Sequence, residues 1–182
     1  FLGDLVEPIK NTKNPLSKLN QGIPFTKRPS FVQFDYKFTN GNNGHRIMDS
    51  GFSKDDIPGK NGAEVSLLLQ HRWEDADGNI YAKRIGTAWK RYFEDVFEWV
   101  DNERVNVIYG DITKHKDFKP YMNLISENPL YAKNSKGEVV PINEVGWASE
   151  NEVPTHIILR FSSGYGGAYI GAPGSAMWVD NI

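Results

Sequence analysis

The chain has 182 residues and a formal net charge of −2 at pH 7, with 39% hydrophobic and 13% aromatic residues. This is enough apolar material for one folded domain, and the near-balanced charge gives no basic surface for nucleic acid. The absence of cysteine excludes disulfides, thiolate zinc sites and cysteine nucleophiles, and no apolar run reaches the roughly 18 residues that a transmembrane helix needs.

Two segments in the first half of the chain have the two-residue alternation of a β-strand. Residues 30–38 place apolar side chains at even positions and polar ones, such as Gln33 and Asp35, on the other face. Residues 63–73 form the second segment, with one apolar face and a reverse that is mostly polar. The connection between them, 45–62, is polar and is predicted to be a long loop.

A third strand is predicted at 80–89, after the turn residues 75–79. This turn resembles the opening of a calcium loop, but its sixth and twelfth places lack the glycine and glutamate that an EF-hand requires. We therefore predict an ordinary hairpin turn. Residues 91–100 fit either a helix or a strand, and we expect an extended segment that leads into a strand at 104–109.

The segment that follows is mostly loop, with a short helix expected near 121–126 and a hairpin about 135–137. The last quarter of the chain contains two strand-like runs, 154–163 and 174–182, joined by a glycine-rich loop. This loop lacks the Gly-Lys-Ser/Thr ending of a phosphate-binding loop.

Strands that recur between long polar loops, without a sustained helical period, predict an all-β fold. We expect a single domain over residues 1–182, built as a β-sandwich of two antiparallel sheets in jelly-roll order.

Exposed aromatic rings and polar side chains on strand faces are suited to sugar binding, because a flat ring stacks on the C–H groups of a sugar and polar groups bond its hydroxyls. The candidate residues lie on strand faces and in the glycine-rich loop. They are Trp73, Trp89, Tyr165, Tyr169, Gln33, Asp35, His156 and Arg160. The alternatives are that the two tyrosines fix the loop to the rest of the protein, and that the polar residues form an ordinary solvated sheet face.

No catalytic motif is present. There is no Gly-x-Ser-x-Gly elbow, and the four histidines have no partner motif. Glycoside hydrolysis needs two carboxylates that flank the scissile bond, and none of the 23 acidic residues stands out as such a pair. We therefore assign no catalytic residue, and no cofactor apart from a structural calcium ion.

The calcium ion is suggested by the last strand. In many sandwich modules an aspartate of this strand helps to bind calcium, together with oxygens of the N-terminal segment. Asp180 is that aspartate here, and Asp4 and Glu7 are available as its partners.

The tail combines Pro-x-His-Ile, an apolar stretch, Ser-Ser-x-Tyr-Gly, Gly-x-x-Gly-Ser and a closing Val-Asp-Asn. The residues concerned are Pro154, His156, Ile157, Ser162, Ser163, Tyr165, Gly166, Gly171, Gly174, Ser175, Val179, Asp180 and Asn181. This pattern resembles the tail of the putative carbohydrate metabolism domain family, found in secreted and surface lipoproteins of gut bacteria. Residues 22–29 and 35–38 resemble its entry segment and one of its strands, whereas Gly164 and Tyr169 depart from it.

The resemblance implies a jelly-roll sandwich similar to carbohydrate-binding modules, with a role in glycan metabolism and no catalytic residues. It also implies an extracytoplasmic protein, secreted or tethered to the cell surface. The chain begins with Phe1 and not with Met. We therefore expect it to be part of a longer exported protein, and to form the C-terminal part of that protein. The expected partner is a polysaccharide or oligosaccharide. Two alternatives stay open: a glycoside hydrolase or lyase on the same fold, and a structural or adhesion module that binds protein.

Overall fold

The computed structural model describes residues 15–49, 53–127, 129–167 and 169–182. These residues form thirteen β-strands and no α-helix, so the all-β prediction is confirmed. The strands are β1 (Ile23–Pro24), β2 (Phe31–Thr39), β3 (His45–Asp49), β4 (Lys54–Lys60), β5 (Ala63–Glu74), β6 (Ile80–Tyr92), β7 (Val96–Asn106), β8 (Ile108–Tyr109), β9 (Tyr131–Lys133), β10 (Val139–Trp147), β11 (His156–Ser162), β12 (Ile170–Gly171) and β13 (Ala176–Asp180).

Short 3-10 helices complete the secondary structure of the described residues, at Pro15–Lys18, Gly41–Gly44, Pro120–Met122 and Ile125–Glu127. None of the helices in this part of the chain has the length and hydrophobicity needed to span a bilayer.

The residues group into two compact units, and the boundary between the units falls within β5, β6 and β11. The first unit contains Leu67–Thr87, Ile108–Ile158 and the described part of the first 29 residues. The second unit contains Ser30–Ser66, Ala88–Val107 and Leu159–Ile182. The single domain over 1–182 and the jelly-roll order stay predictions.

The strands of the first unit belong to a seven-stranded sheet with the order β1-β11-β5-β6-β10-β9, and β8 also pairs with β6. The pairs β1–β11, β9–β10 and β6–β8 are antiparallel, as expected. β10 instead pairs with β6 in parallel, with Ile142 opposite Ile80. A parallel pair needs a long crossover, and the chain between Tyr92 and Val139 is far longer than the roughly dozen residues required.

Strands β3 and β4 lie within 45–62 and β12 lies in the glycine-rich loop, where the sequence predicts loop, and β10 extends beyond the expected hairpin into a segment predicted to be mostly loop. In β10 the alternation is hidden because Pro141 and Gly146 interrupt it, with a register shift just before the glycine. The hairpin about 135–137 is confirmed by the antiparallel β9–β10 pair. The helix expected near 121–126 is instead a pair of 3-10 turns.

The turn between β5 and β6 is a hairpin turn closed by Asp75. Its Oδ1 accepts hydrogen bonds from the backbone N–H groups of Asp77 and Asn79, at 3.0 and 2.8 Å. Aspartate commonly closes turns in this way. The side chain of Asn79, and then its backbone N–H, lower the pKa of the Asp75 carboxyl. The hairpin prediction is confirmed.

The mostly polar face of β5 is buried as deeply as its apolar face. In the first unit, the polar residues of this face form hydrogen bonds with a charged pair in the core. Arg84 and Glu144 are 2.5 Å apart in this pair, and both side chains are 0% exposed. Glu144 also accepts bonds from Gln70 Nε2 at 2.6 Å and from the Ile125 backbone at 2.9 Å. Arg72 Nε donates to Gln70 Oε1 at 2.7 Å. Buried charges are tolerated when they are paired and hydrogen-bonded in this way.

The second unit contains two three-stranded sheets, β12-β3-β4 and β13-β2-β7. Strand β2 is central in the second of them, and its predicted alternation is confirmed. Its inward side chains are buried, and Phe34 meets Phe161 edge-on with ring centres 5.1 Å apart. Its outer side chains are partly exposed. They are Gln33, Asp35, Lys37 and Thr39, and Phe31 on the same face is exposed.

Breaking the buried pair should destabilise the fold. Arg84→Met or Glu144→Leu alone should lower the free energy of unfolding by about 3–5 kcal/mol, because the remaining charge loses its partner away from water. Urea denaturation followed by circular dichroism measures this.

The control is an exposed pair, Lys60 with Glu94 at 3.0 Å, whose side chains are 47% and 85% exposed. Lys60→Gln should lower the free energy of unfolding by at most about 1 kcal/mol. The Arg84→Met/Glu144→Leu double variant should lose less than the sum of its singles. Equal losses for Arg84→Met and Lys60→Gln would contradict the prediction.

Candidate functional site

The outer face of the β13-β2-β7 sheet is shaped by a bulge in β7. In the register, 96–100 of β7 runs beside 36–38 of β2, so four residue steps face two. Phe97 and Trp99 therefore both lie beside the single residue Lys37, with side chains 68% and 44% exposed. Bulges commonly redirect side chains next to functional sites.

A second irregularity follows in the same pair of strands. Residues 100–103 of β7 run beside 34–36 of β2, and Asn102 has a left-handed backbone with a φ of 58°. Its backbone N–H donates to Asp35 Oδ1 at 2.7 Å. Asparagine tolerates this conformation better than a β-branched residue does, and the carboxylate of β2 satisfies the amide.

A shallow groove of about 190 Å³ lies on this face, lined by Lys37, Thr39, Val96, Phe97, Trp99 and Trp178. We call it the aromatic groove. Trp178 is 48% exposed and stands directly opposite Lys37 in the β13–β2 register. The Lys37 ammonium lies 5.1 Å from the centre of the Trp99 ring. Lys37 therefore has a tryptophan on each side, on strands about 10 Å apart.

The shape of the groove determines what it can hold. Its volume is below the roughly 300–1,000 Å³ of typical small-molecule pockets. The groove therefore cannot enclose a ligand, and a partner would lie along the open surface of the sheet. Exposed aromatic clusters with polar neighbours mark interaction sites on protein surfaces. The flat rings of Trp99 and Trp178 fit a partner with flat apolar faces, and Lys37 supplies three N–H donors for its polar edge.

A row of polar side chains continues along the same face, and it contains two of the predicted residues. Gln33 Oε1 accepts a bond from Arg104 Nε at 2.7 Å, and Gln33 Nε2 donates to Asn102 Oδ1 at 2.9 Å. Asp35 Oδ2 accepts a bond from Asn181 Nδ2 at 2.5 Å. Gln33 and Asp35 thus lie on the sheet face that carries the aromatic groove, in orientations fixed by hydrogen bonds.

Asp35 and Asp180 stand directly opposite each other in the β13–β2 register. The backbone N–H of Asn102 and the side chain of Asn181 hold the pKa of the Asp35 carboxyl below its usual value. The acid in glycoside hydrolysis instead needs a raised pKa, so that it keeps its proton at neutral pH. Asp35 is therefore suited to accepting hydrogen bonds as a carboxylate.

Tyr165 lies in the glycine-rich loop and is held by several groups. The guanidinium groups of Arg46 and Arg91 lie over its ring, 4.6 and 4.1 Å from the ring centre. Its hydroxyl donates to the Lys60 carbonyl at 2.9 Å, and Phe93 meets the ring edge-on. These are the contacts of a residue that fixes the loop. Its role in ligand binding stays a prediction.

The other predicted aromatic residues of the second unit lie apart from the lining of the aromatic groove. Tyr169 is 38% exposed and has a left-handed backbone with a φ of 63°. Its carbonyl accepts the backbone N–H of Asp49 at 2.9 Å. Trp89 is half-buried within β6.

The first unit contains Trp73, whose side chain is 40% exposed. Its ring stacks on Tyr81, with ring centres 5.8 Å apart and planes 19° from parallel. His71 lies at 6.2 Å from the Trp73 ring centre, and its Nδ1 is 2.7 Å from Glu152 Oε1. Trp73 therefore belongs to a separate aromatic surface, which stays a candidate.

His156 belongs to the first unit and Arg160 to the second. The residue between them on the same strand face, Ile158, is 2% exposed, whereas His156 and Arg160 are each half-buried. His156 Nδ1 lies 3.0 Å from Thr155 Oγ1. Burial, and then the charge of Arg72, lower the pKa of His156, which is therefore neutral at pH 7.

The predicted calcium site is only partly described. Asp180 is exposed, and its Oδ1 accepts the backbone N–H of Asn181 at 2.8 Å. Asp4 and Glu7 lie outside the described residues. Within the described ranges, no group of three or more His, Asp or Glu side chains is placed to hold a metal ion. The calcium ion stays a prediction.

Sequence reasoning missed Trp99 and Trp178. Each alternates with its neighbours as a strand residue does, but neither is among the candidate residues named from the sequence. What the sequence lacks is the cross-strand register, which places Trp178 opposite Lys37 and brings Trp99 beside it. Alternation alone does not say which face of a strand is exposed.

Comparison with protein families and with curated proteins gives no match. Two solved structures are similar in fold. One is a putative glycoside hydrolase from Bacteroides thetaiotaomicron VPI-5482, with a TM-score of 0.55, 14% identity, and coverage of 96% of this chain and 43% of that chain. The other is a putative glycoside hydrolase from Bacteroides vulgatus ATCC 8482, with a TM-score of 0.52, 16% identity, and coverage of 91% and 55%.

This chain therefore spans about half the length of each of these two proteins. At such low identities the similarity shows a shared fold, and it does not transfer an activity.

The left-handed residue in β7 can be tested directly. Asn102→Val should lower the free energy of unfolding by about 1–2 kcal/mol, because a β-branched side chain is strained at a φ of 58°. Asn102→Gly should be tolerated. Urea denaturation measures both. The control is Asn106→Val, an exposed position at the end of the same strand, which should change stability by about 0.5 kcal/mol or less. Equal effects of the two valine variants would contradict the prediction.

Proposed function

We propose that the aromatic groove binds a polysaccharide or oligosaccharide, and that the chain is a glycan-binding domain that assists glycan metabolism. One observation carries the proposal. Trp99 and Trp178 are both exposed on one sheet face, on either side of Lys37. Flat indole rings complement the C–H faces of sugar rings, and the ammonium can donate to their hydroxyls.

The open shape of the groove favours a stretch of sugar chain over a single enclosed sugar. Polar groups along the same face, including Asp35 and Gln33, can bond further hydroxyls. Sugar hydroxyls exchange bonds to water for bonds to protein with little net gain, so stacking supplies much of the affinity. We expect the affinity to be modest.

The two similar structures support a carbohydrate role, because both are described as putative glycoside hydrolases. We further propose an extracytoplasmic location, because polysaccharides do not cross a lipid bilayer.

The second candidate function is that of a glycoside hydrolase or lyase on the same fold, and the descriptions of the two similar structures favour the hydrolase. The residues that line the aromatic groove include no carboxylate. Asp35, the nearby acid, has a lowered pKa and lacks the features of a proton donor. The groove therefore favours binding over catalysis.

Removal of either tryptophan should weaken glycan binding. We expect Trp99→Ala and Trp178→Ala each to reduce affinity about tenfold or more, because each removes a stacking surface. A polysaccharide panel in native affinity gels identifies the retained polymer, and calorimetry then measures the affinity. The comparison variant is Trp73→Ala, which removes a similarly exposed tryptophan from the first unit.

Each outcome separates the candidates. Loss of binding in Trp73→Ala alone would move the site to the first unit. Release of reducing ends from the retained polymer would indicate hydrolysis, and unsaturated ends would indicate a lyase. Retention of no polysaccharide at all would contradict the proposed function and favour a module that contacts protein through its exposed aromatic side chains.

A further inference from the structure

Lys37 is the one lysine of the described residues that is partly buried, whereas the others, Lys83 among them, are exposed. Lys54, Lys60 and Lys90 each pair with a carboxylate, at 3.1, 3.0 and 2.7 Å. Lys37, like exposed lysines such as Lys83, has no ion pair within the described residues, but its ammonium lies against the Trp99 ring. It is also partly buried rather than fully exposed. A cation held in a fixed aromatic setting without a counter-charge is suited to an anionic ligand.

The neighbouring acids are placed beside the groove and do not line it. Asp35 is two residues before Lys37 on the same face of β2, where it bonds to Asn102 and Asn181. Asp180 is opposite Asp35. Glu98 stands between the two exposed aromatic residues of the bulge and is also absent from the lining.

The face is positively charged at Lys37 and negatively charged at Asp35 and Asp180. A negative group of the ligand would be attracted at Lys37 and repelled at the Asp35 and Asp180 end. Hydroxyl groups, which can donate to carboxylates, suit that second end. The face therefore fits a sugar chain whose rings carry both an acidic substituent and free hydroxyls.

We propose that the aromatic groove selects acidic glycans, with a carboxylate or sulfate substituent bonded to Lys37 while the sugar rings stack on Trp99 and Trp178. This inference rests on the proposed function and names the ligand class for that site. Hydrogen bonds between charged groups are roughly twice as strong as neutral ones, so the acidic substituent should add a clear preference.

The test compares polymers that differ only in charge. The probes are polygalacturonate, alginate and hyaluronan, each beside its carboxyl-reduced form, and heparin beside its desulfated form. The wild-type protein should bind at least one acidic polymer about tenfold more tightly than its neutral counterpart at low salt. The preference should weaken as ionic strength rises. The three polymers compared with their carboxyl-reduced forms test recognition of carboxylate. Heparin compared with its desulfated form tests recognition of sulfate.

The variants assign the preference to one side chain. Lys37→Gln should lower binding of the acidic polymer about tenfold, with little change for the neutral one. Lys37→Arg should keep the preference because it keeps the charge. Lys83→Gln, at an exposed position of β6, is the control and should bind as the wild type does. Thermal unfolding of each variant checks that it is folded.

The outcomes distinguish this inference from the proposed function. Binding of neutral polymers at the same strength as acidic ones, or an unchanged preference in Lys37→Gln, would overturn the acidic selectivity and leave glycan binding in place. Failure to bind any acidic or neutral polymer would overturn both.

Discussion

The outer face of the β13-β2-β7 sheet depends on a mismatch in length between two paired strands. Between Val96 and Val100, strand β7 has two residues more than the part of β2 beside it. A regular ladder would place each residue of β7 opposite one of β2, and would spread the aromatic side chains along the strand. The bulge instead gathers Phe97 and Trp99 beside Lys37. The candidate site is therefore a property of the backbone pairing as much as of the residues.

The bulged segment is held by specific polar contacts. Asn102 supplies the left-handed residue that the second irregularity needs, and Asp35 bonds its amide. Asn181, just after β13, bonds the other oxygen of the same carboxylate. One aspartate of the central strand thus links β7 to the segment that follows β13. Asp35 was predicted as a ligand-binding residue, and its hydrogen bonds give it a structural role beside the groove.

The sequence predicted the parts of the fold that follow from local alternation. The faces of β2, the hairpin at 75–79 and the all-β class are examples, because each depends on neighbouring residues. It did not predict the length of β10, in which a proline and a glycine interrupt the alternation, or the burial of Arg84 and Glu144. A charged residue in a strand normally indicates a solvated face. Burial becomes favourable only with a partner from a distant strand, and that pairing is invisible to a local pattern.

The candidate site shows the same limit. Gln33 and Asp35 were identified because they share a face of one strand. Trp99 and Trp178 were not, because their exposure depends on which strands they pair with. Tyr165 was identified by its glycine-rich surroundings, but two arginines and a backbone carbonyl hold it. Residue type and loop position cannot distinguish a free aromatic ring from one that is already engaged.

The three strands that build the groove come from widely separated parts of the chain: Phe31–Thr39, Val96–Asn106 and Ala176–Asp180. Pairing segments so far apart is slow, because the entropy of loop closure opposes it before any contact forms. Trp178 lies on β13, which is an edge strand of this sheet and comes last of the three in the sequence. A partly folded chain in which β13 is not yet paired would lack the Trp178 side of the groove. A ligand that bound across β7 and β13, as proposed for a glycan, would hold the final strand in place and would favour the completed native state by mass action.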